Sequence, residues 1–512
     1  MAIEMRDEKE MKGITLNERD RNITSVSNKT NQKDNRDDRL SMFADDSSTI
    51  VVDVKQVRVA KECIYNYEKA STSKLHEGKT KVMKLGRART RNITKTHMDT
   101  NFTIMKDTDT ENYLGDIIGN IVTEEETYEK AIRGIETLGA KWLKEHIGVQ
   151  GRTIVANTLL QAKLAHRASV NGTSKKMQKI IRKKIKEFIW GGENKKARVM
   201  WEIMLKDPKE GGTGIRDPII AIEARRISIL KKIITRDRQP WMRYIERKMT
   251  KIAKRWKVSE AMGAKPSKKE QKELDDKCIT ESAIKVWIEI GGTKRKERIV
   301  EEKKGEEVIS NWESGFGVEK KDVWIPIEKL KSKTIYEILI DKRNRIKKYT
   351  PNPAHAILHK VDGYLTPEER NYWWKLNHKI VSTKQTESKY KRDEAGNLIS
   401  NKCPICKTHK ETKQHYNNEC PSIIEFRNRI TEIINQKEIT DEEWNLEVST
   451  GDIYSDIYIA KARWIFHCER CNVDHRRRRR VNIPILLNRT RKRMKAAKKI
   501  LEEVTVNRRR KN

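Results

Sequence analysis

A chain of 512 residues can build several domains with real cores, and needs no disulfide scaffold to do so. Its 111 lysines and arginines against 74 acidic residues give a formal charge of +37, spread along the whole length, which points to a polyanionic partner. No run of about 18 apolar residues is present to span a bilayer, and no charged segment followed by a short apolar stretch opens the chain. Nucleic acid is therefore favoured over membrane, with a nuclear or cytoplasmic location expected.

Residues 1–40 are polar and charged and offer no apolar face. Leu40–Phe43 and Thr49–Val54 are short strand-like runs around Ala44-Asp45-Asp46-Ser47-Ser48, a pattern that predicts a β-hairpin with two acids at its tip. A helix is expected from Lys55 to Lys74, then a strand over 80–85 ending at Gly86. From about 120 to 260 the pattern is helical, with basic segments such as Met177–Trp190 and turn signals at Gly191-Gly192 and Gly211-Gly212. The stretch 263–325 is highly charged and weakly patterned. A last module opens near Lys342 and carries Tyr372-Trp373-Trp374, a cysteine cluster and arginine runs at Arg476–Arg480 and Arg508-Arg509-Arg510. Such runs suit solvated tails, phosphate contact or nuclear import alike.

Paired aspartates in a turn have a bland explanation, because Asp tolerates turn geometry and caps nearby backbone groups. They also have a chemical one, since nucleotidyl transfer uses carboxylates to hold two Mg²⁺ ions on hard oxygen donors. Context favours the second for Asp45 and Asp46. Phe43-Ala44-Asp45-Asp46 resembles the aromatic-x-Asp-Asp box of reverse transcriptases, and the likeness continues in order. Lys74–Met83 is similar to the segment after that box in enzymes of the non-LTR (LINE-like) retrotransposon type. Tyr113-Leu114-Gly115 then resembles that family's Tyr-Leu-Gly turn, Trp142 with Gly151-Arg152 its thumb-region pattern, and Phe188-Ile189-Trp190 with Gly211-Gly212-Thr213-Gly214-Ile215-Arg216-Asp217 the segment beyond it. The three glycines of the last motif are read as turn formers rather than phosphate binders. An earlier strand-borne aspartate and a Gln-Gly nucleotide motif are not found. Met11-Lys12-Gly13-Ile14 resembles the lead-in to the hairpin, so the chain is expected to begin after the fingers and half of the palm.

Seven cysteines are present, five of them in the last quarter, which suits metal binding in a reducing compartment better than disulfides. Cys403-Pro404-Ile405-Cys406, His415 and Cys420 form a Cys-x2-Cys-x8-His-x4-Cys array, a donor set suited to tetrahedral Zn²⁺. His409 is a possible substitute ligand. Glu411-Thr412-x-x-His415 and the upstream Leu365–Arg370 and Tyr372–Leu376 stretches resemble the zinc-binding region of the same family. His467, Cys468, Cys471 and His475 form a second set, read first as an unmetallated helix.

The expected fold is α+β. The resemblance implies a truncated palm over 1–112, a helical thumb-like region over 113–260, a charged linker or flexible subdomain over 261–341, a zinc-binding region over 342–435 and a basic C-terminal tail over 436–512. It further implies RNA-directed DNA polymerase ancestry, with an RNA template and DNA target as partners, Mg²⁺ at Asp45 and Asp46 if the site is completed, and structural Zn²⁺. The rival expectation is a non-catalytic, zinc-dependent RNA- or DNA-binding protein derived from such an element.

Overall fold

Helices dominate and strands are few and short, within the expected α+β class. The computed structural model describes residues 40–43, 46–145, 147–193, 195–234, 262, 268–274, 278–294, 315–343, 350–434, 438–475 and 480–509. Two compact units are assembled from alternating stretches of chain. One comprises Met1–Ile132, Leu164–Met177 and Arg225–Leu330, the other Arg133–Lys163, Gln178–Ala224 and Lys331–Asn512.

In the first unit the acidic hairpin forms, in a tighter register than expected. β1 (Leu40–Phe43) pairs antiparallel with β2 (Asp46–Thr49), Phe43 opposite Asp46, so residues 44 and 45 alone separate the strands. α1 (Val54–Ala70) begins where the Asp53 side chain accepts the Gln56 N–H, and ends before the expected Lys74. The strand expected over 80–85 shrinks to β3 (Lys81–Val82), which runs parallel to β4 (Thr103–Ile104). β5 (Thr110–Tyr113) and β6 (Asp116–Gly119) form a second hairpin. Its turn residues Leu114 and Gly115 both take positive φ, 48° and 83°, as a two-residue hairpin turn demands. The Tyr113 hydroxyl donates to Ser48 Oγ at 3.1 Å and so ties the two hairpins. Among the described residues these strands remain separate two-stranded sheets, and no single palm-like sheet joins them.

The stretch expected as a charged linker contains a packed element. A helix over Ile279–Glu289 buries Ala283, Ile284, Val286 and Trp287, and Trp287 Nε1 donates to the Met262 carbonyl at 3.0 Å. A three-stranded sheet, β7 (Thr293–Lys294), β8 (Phe316–Lys320) and β9 (Val323–Pro326), adds Phe316 beside that indole. Apolar residues here are sparse but aligned, so a composition-based reading misses them.

The second unit holds α2 (Lys175–Trp190) from Gln178 onward, α3 (Pro367–Asn377), α4 (Pro421–Ile433), α5 (Ile453–Asp474) and α6 (Ile483–Arg509). The Gly211–Gly214 loop meets the aromatic helix α3: Trp374 Nε1 and His378 Nε2 both reach the Gly211 carbonyl, at 3.1 and 2.7 Å. Gly211 and Gly214 have φ of 85° and 68°, the turn role read from the sequence. Gly212 is required for another reason, because a Cβ there would lie 1.8 Å from the Lys206 carbonyl oxygen. Gly212→Ala should therefore cost about 3 kcal/mol by forcing this loop apart, read as a lowered denaturation midpoint; a loss below about 0.5 kcal/mol would show that the loop yields freely.

Within the stretch expected as a basic C-terminal tail, residues 438–475 and 480–509 are built around packed helices. α5 buries Ile457, Tyr458, Ile459, Ala460, Ala462, Ile465 and Phe466 in one core with Trp373, Phe426, Trp444, Leu486 and Met494. Its charges are buried because partners wait inside. Lys461 Nζ meets the Glu369 carboxylate at 3.0 Å, and Arg493 reaches the other Glu369 oxygen at 2.7 Å. Arg489 pairs with Glu469 at 3.2 Å, and Arg463 lies over the Trp444 ring at 5.4 Å. The zinc-binding region and the expected tail thus share one hydrophobic core. Arg476–Arg479 and Arg510–Asn512 lie outside the described residues.

Candidate metal centre

The site is built by short-range chain geometry. Cys403 N–H donates to the His409 carbonyl at 2.8 Å and Lys407 N–H to the Cys403 carbonyl at 3.0 Å, closing a tight turn around the Cys-x2-Cys pair. Lys407 takes a left-handed φ of 63° to complete it. Lys402 and Lys410 pair across the base of the loop. On the other side, residues His415–Glu419 form one wide helical turn in which the Cys420 N–H reaches the His415 carbonyl at 3.0 Å. That π-type turn, a feature often found at functional sites, brings His415 and Cys420 to one end of α4. Pro421 follows as the first helical residue, where no donor is needed.

One ligand atom from each of Cys403, Cys406, His415 and Cys420 lies within 4.8 Å of all the others. Cys403 Sγ and Cys420 Sγ are 4.0 Å apart, and Cys406 Sγ is 3.5 Å from His415 Nε2. A tetrahedron with Zn–S near 2.3 Å and Zn–N near 2.05 Å has edges of about 3.8 and 3.6 Å. The donor set could therefore hold a metal ion such as zinc. Electrostatics agree. Burial would raise the Cys406 thiol, but hydrogen bonds from the Thr408 hydroxyl and the His409 and Thr408 groups outweigh it and bring it down to about 5. Cys403 donates to Cys420, which lowers Cys420 to about 7 and raises Cys403. A cation would take the place of that shared proton.

No family model and no curated protein matches this sequence. His409, the alternative ligand, stands outside the group of four: its exposed ring stacks on His415 with centroids 5.5 Å apart and its Nδ1 faces the Thr408 hydroxyl at 2.8 Å. The second cysteine and histidine set lies at the end of α5, and among the described residues it does not converge as a ligand group. His467 Nδ1 meets the Tyr416 hydroxyl at 2.8 Å and its ring stacks on Tyr372 at 4.6 Å. Burial, aided by the charge of Arg470, pushes His467 down to about 3, so the ring there is neutral.

Asp45 lies outside the described residues. Asp46 is exposed at the start of β2, and no group of three or more convergent donors includes it among the described residues. The described part of the chain does not make a magnesium cage.

Sequence reasoning missed the support of the metal loop. Glu411, 1% exposed, takes both Nε and Nη2 of Arg470 at 2.7 and 2.6 Å and also accepts the Lys384 N–H at 2.6 Å. Tyr416, next to His415, links to the Tyr372 hydroxyl at 3.2 Å. The Glu-Thr-x-x-His spacing was the available signal for Glu411, since it sets the carboxylate one turn before a ligand.

Proposed function

We propose that this chain is the C-terminal part of a reverse transcriptase of the non-LTR retrotransposon type, and that it works as a zinc-stabilised nucleic-acid-binding protein. The observation that carries this reading is the convergence of Cys403, Cys406, His415 and Cys420, the ligands named by their spacing, within a stretch that resembles the family's zinc-binding region. Motif order from Phe43 to Asp217 supports it, as does the net charge of +37. Around the metal loop Lys402, Lys407 and Lys410 are exposed, which suits phosphate contact. RNA template and DNA target are the partners in this reading, and no described helix is long and apolar enough to cross a membrane. The second reading is a non-catalytic, zinc-dependent nucleic-acid-binding role, supported by the four converging donors and the net charge of +37.

Two measurements test the proposal. Binding to RNA or DNA should weaken by about 10³-fold or more between 50 and 200 mM salt if at least six phosphates are contacted; absent or salt-independent binding would remove the nucleic-acid reading. Primer extension on an RNA template with Mg²⁺ should give no product with the 512-residue chain alone, and product dependent on Asp45 when fingers and a complete palm of this type are supplied in frame. Extension by the chain alone would overturn the non-catalytic reading, and extension surviving Asp45→Ala would overturn the catalytic hairpin.

A further inference from the structure

In the second unit, one stripe of α2 carries Lys179, Lys183, Lys186 and Trp190 and forms one bank of a groove of about 580 Å³, with Lys195 and Lys196 on the other. Steps of four, three and four residues keep these side chains on one helix face. At 1.5 Å per residue the stripe is about 16 Å long, room for roughly four or five nucleotides at 3.4 Å each. Arg182 and Glu187 also line it but are engaged elsewhere, Arg182 in a two-point pair with Asp217 at 2.8 and 3.0 Å and Glu187 with Lys183 and Lys184.

The remaining cations are placed for an anion. Lys179, Lys183, Lys195 and Lys196 are exposed, and the pair of Lys183 with Glu187 is long, 3.7 Å, and open to solvent, so a phosphate can compete for that ammonium. Lys186 lies 5.0 Å over the Trp201 ring, where burial and then the charge of Arg182 lower its pKa; a bound phosphate would offset both. Trp190 is half-exposed in the floor and is backed by Trp374, ring centroids 6.4 Å apart, so its position is fixed. Lysines alone would suit any polyanion, but a fixed indole among them adds a stacking surface for a base. Bases in a duplex stack on one another and cannot reach such a floor.

We propose that this groove holds a single-stranded stretch of nucleic acid, with the four exposed lysines on phosphates and Trp190 against a base. The proposal rests on the nucleic-acid reading above and names where on the chain the strand runs.

The test compares two quadruple variants of the full chain that change charge equally: K179E/K183E/K195E/K196E in the groove, and K492E/K495E/K498E/K499E on the exposed face of α6. Twelve-nucleotide RNA and DNA single strands, the matching duplex and a polyglutamate of equal charge are the probes, and zinc content and circular dichroism report folding. The groove variant should lose at least 10-fold more single-strand affinity than the α6 variant. Its salt slope should fall by about 3, from four contacts at 0.7 each. Oligonucleotides carrying 5-iodouridine should crosslink to the peptide that contains Trp190. Equal losses in the two variants, or crosslinks confined to other peptides, would overturn the groove while leaving the chain a nucleic-acid binder. Polyglutamate competing as well as the single strand would make it an acidic-peptide site instead. No binding by the unmodified chain at low salt would overturn both readings.

Discussion

Stripping zinc from the chain with a strong chelator is expected to unfold far more than the loop that holds it. Two of the proposed ligands, Cys403 and Cys420, lie in the same core as Trp373, Phe426, Trp444 and Ile457. In small zinc modules metal binding contributes about 10–16 kcal/mol that is also folding energy. Chelation should therefore expose the amides of α4 and of the facing stretch of α5 to hydrogen exchange, as well as those of residues 400–420. Metal analysis should find one zinc per chain, falling below about a tenth with Cys403→Ser or His415→Ala and staying near one with His409→Ala, because His409 stands outside the donor group. Equal zinc in all three variants would show that the ligands are wrongly assigned. Zinc loss with unchanged exchange in α4 would show that the metal staples a loop and nothing more.

Breaking the Glu411–Arg470 pair is the second large effect. Both side chains are buried, at 1% and 5% exposure. Glu411→Gln would leave a guanidinium in the core without its carboxylate, a loss of about 3–5 kcal/mol, or on the order of 10 °C in melting temperature for a unit of this size. Replacing both partners, Glu411→Met with Arg470→Leu, should recover most of that loss, since an apolar pair needs no compensation. Zinc stoichiometry should hold at one, as neither side chain is a ligand. A single-variant loss under 1 kcal/mol, or a double variant as weak as the single one, would show that the pair is not desolvated in solution.

These two cases also show which parts of the architecture could be read from the residues alone. The four metal donors were legible because their spacing is local: a tight turn after Cys403 and a wide helical turn after His415 dictate how they meet. The glycine loop was legible in kind, although the crowding at Gly212 depends on the Lys206 carbonyl and leaves no pattern. α5 falls within the stretch expected as a basic tail. The burial of Lys461 and Arg470 depends on Glu369 and Glu411, which lie 92 and 59 residues away, a pairing that no periodicity encodes. The packed element within the expected charged linker or flexible subdomain was hidden similarly, since Trp287 has its indole partner at Met262. For the acidic hairpin the aspartate pair was visible, but a metal cage needs donors from other strands, and spacing within one hairpin cannot supply them.

The second unit draws on residues 133–163, 178–224 and 331–512, and its central helix is made after most of the residues that pack around it. Until Ile453–Asp474 has emerged, the Trp373 indole lacks the Ala460 carbonyl, Glu369 lacks Lys461 and Glu411 lacks Arg470. Closing contacts over so long a sequence separation is slow, and the growing chain meanwhile presents apolar surface to chaperones and proteases. A premature stop upstream of residue 453 would thus remove the keystone of the unit rather than trim its edge. Such a product should be cleared by degradation, whereas one ending just after α6 should accumulate normally.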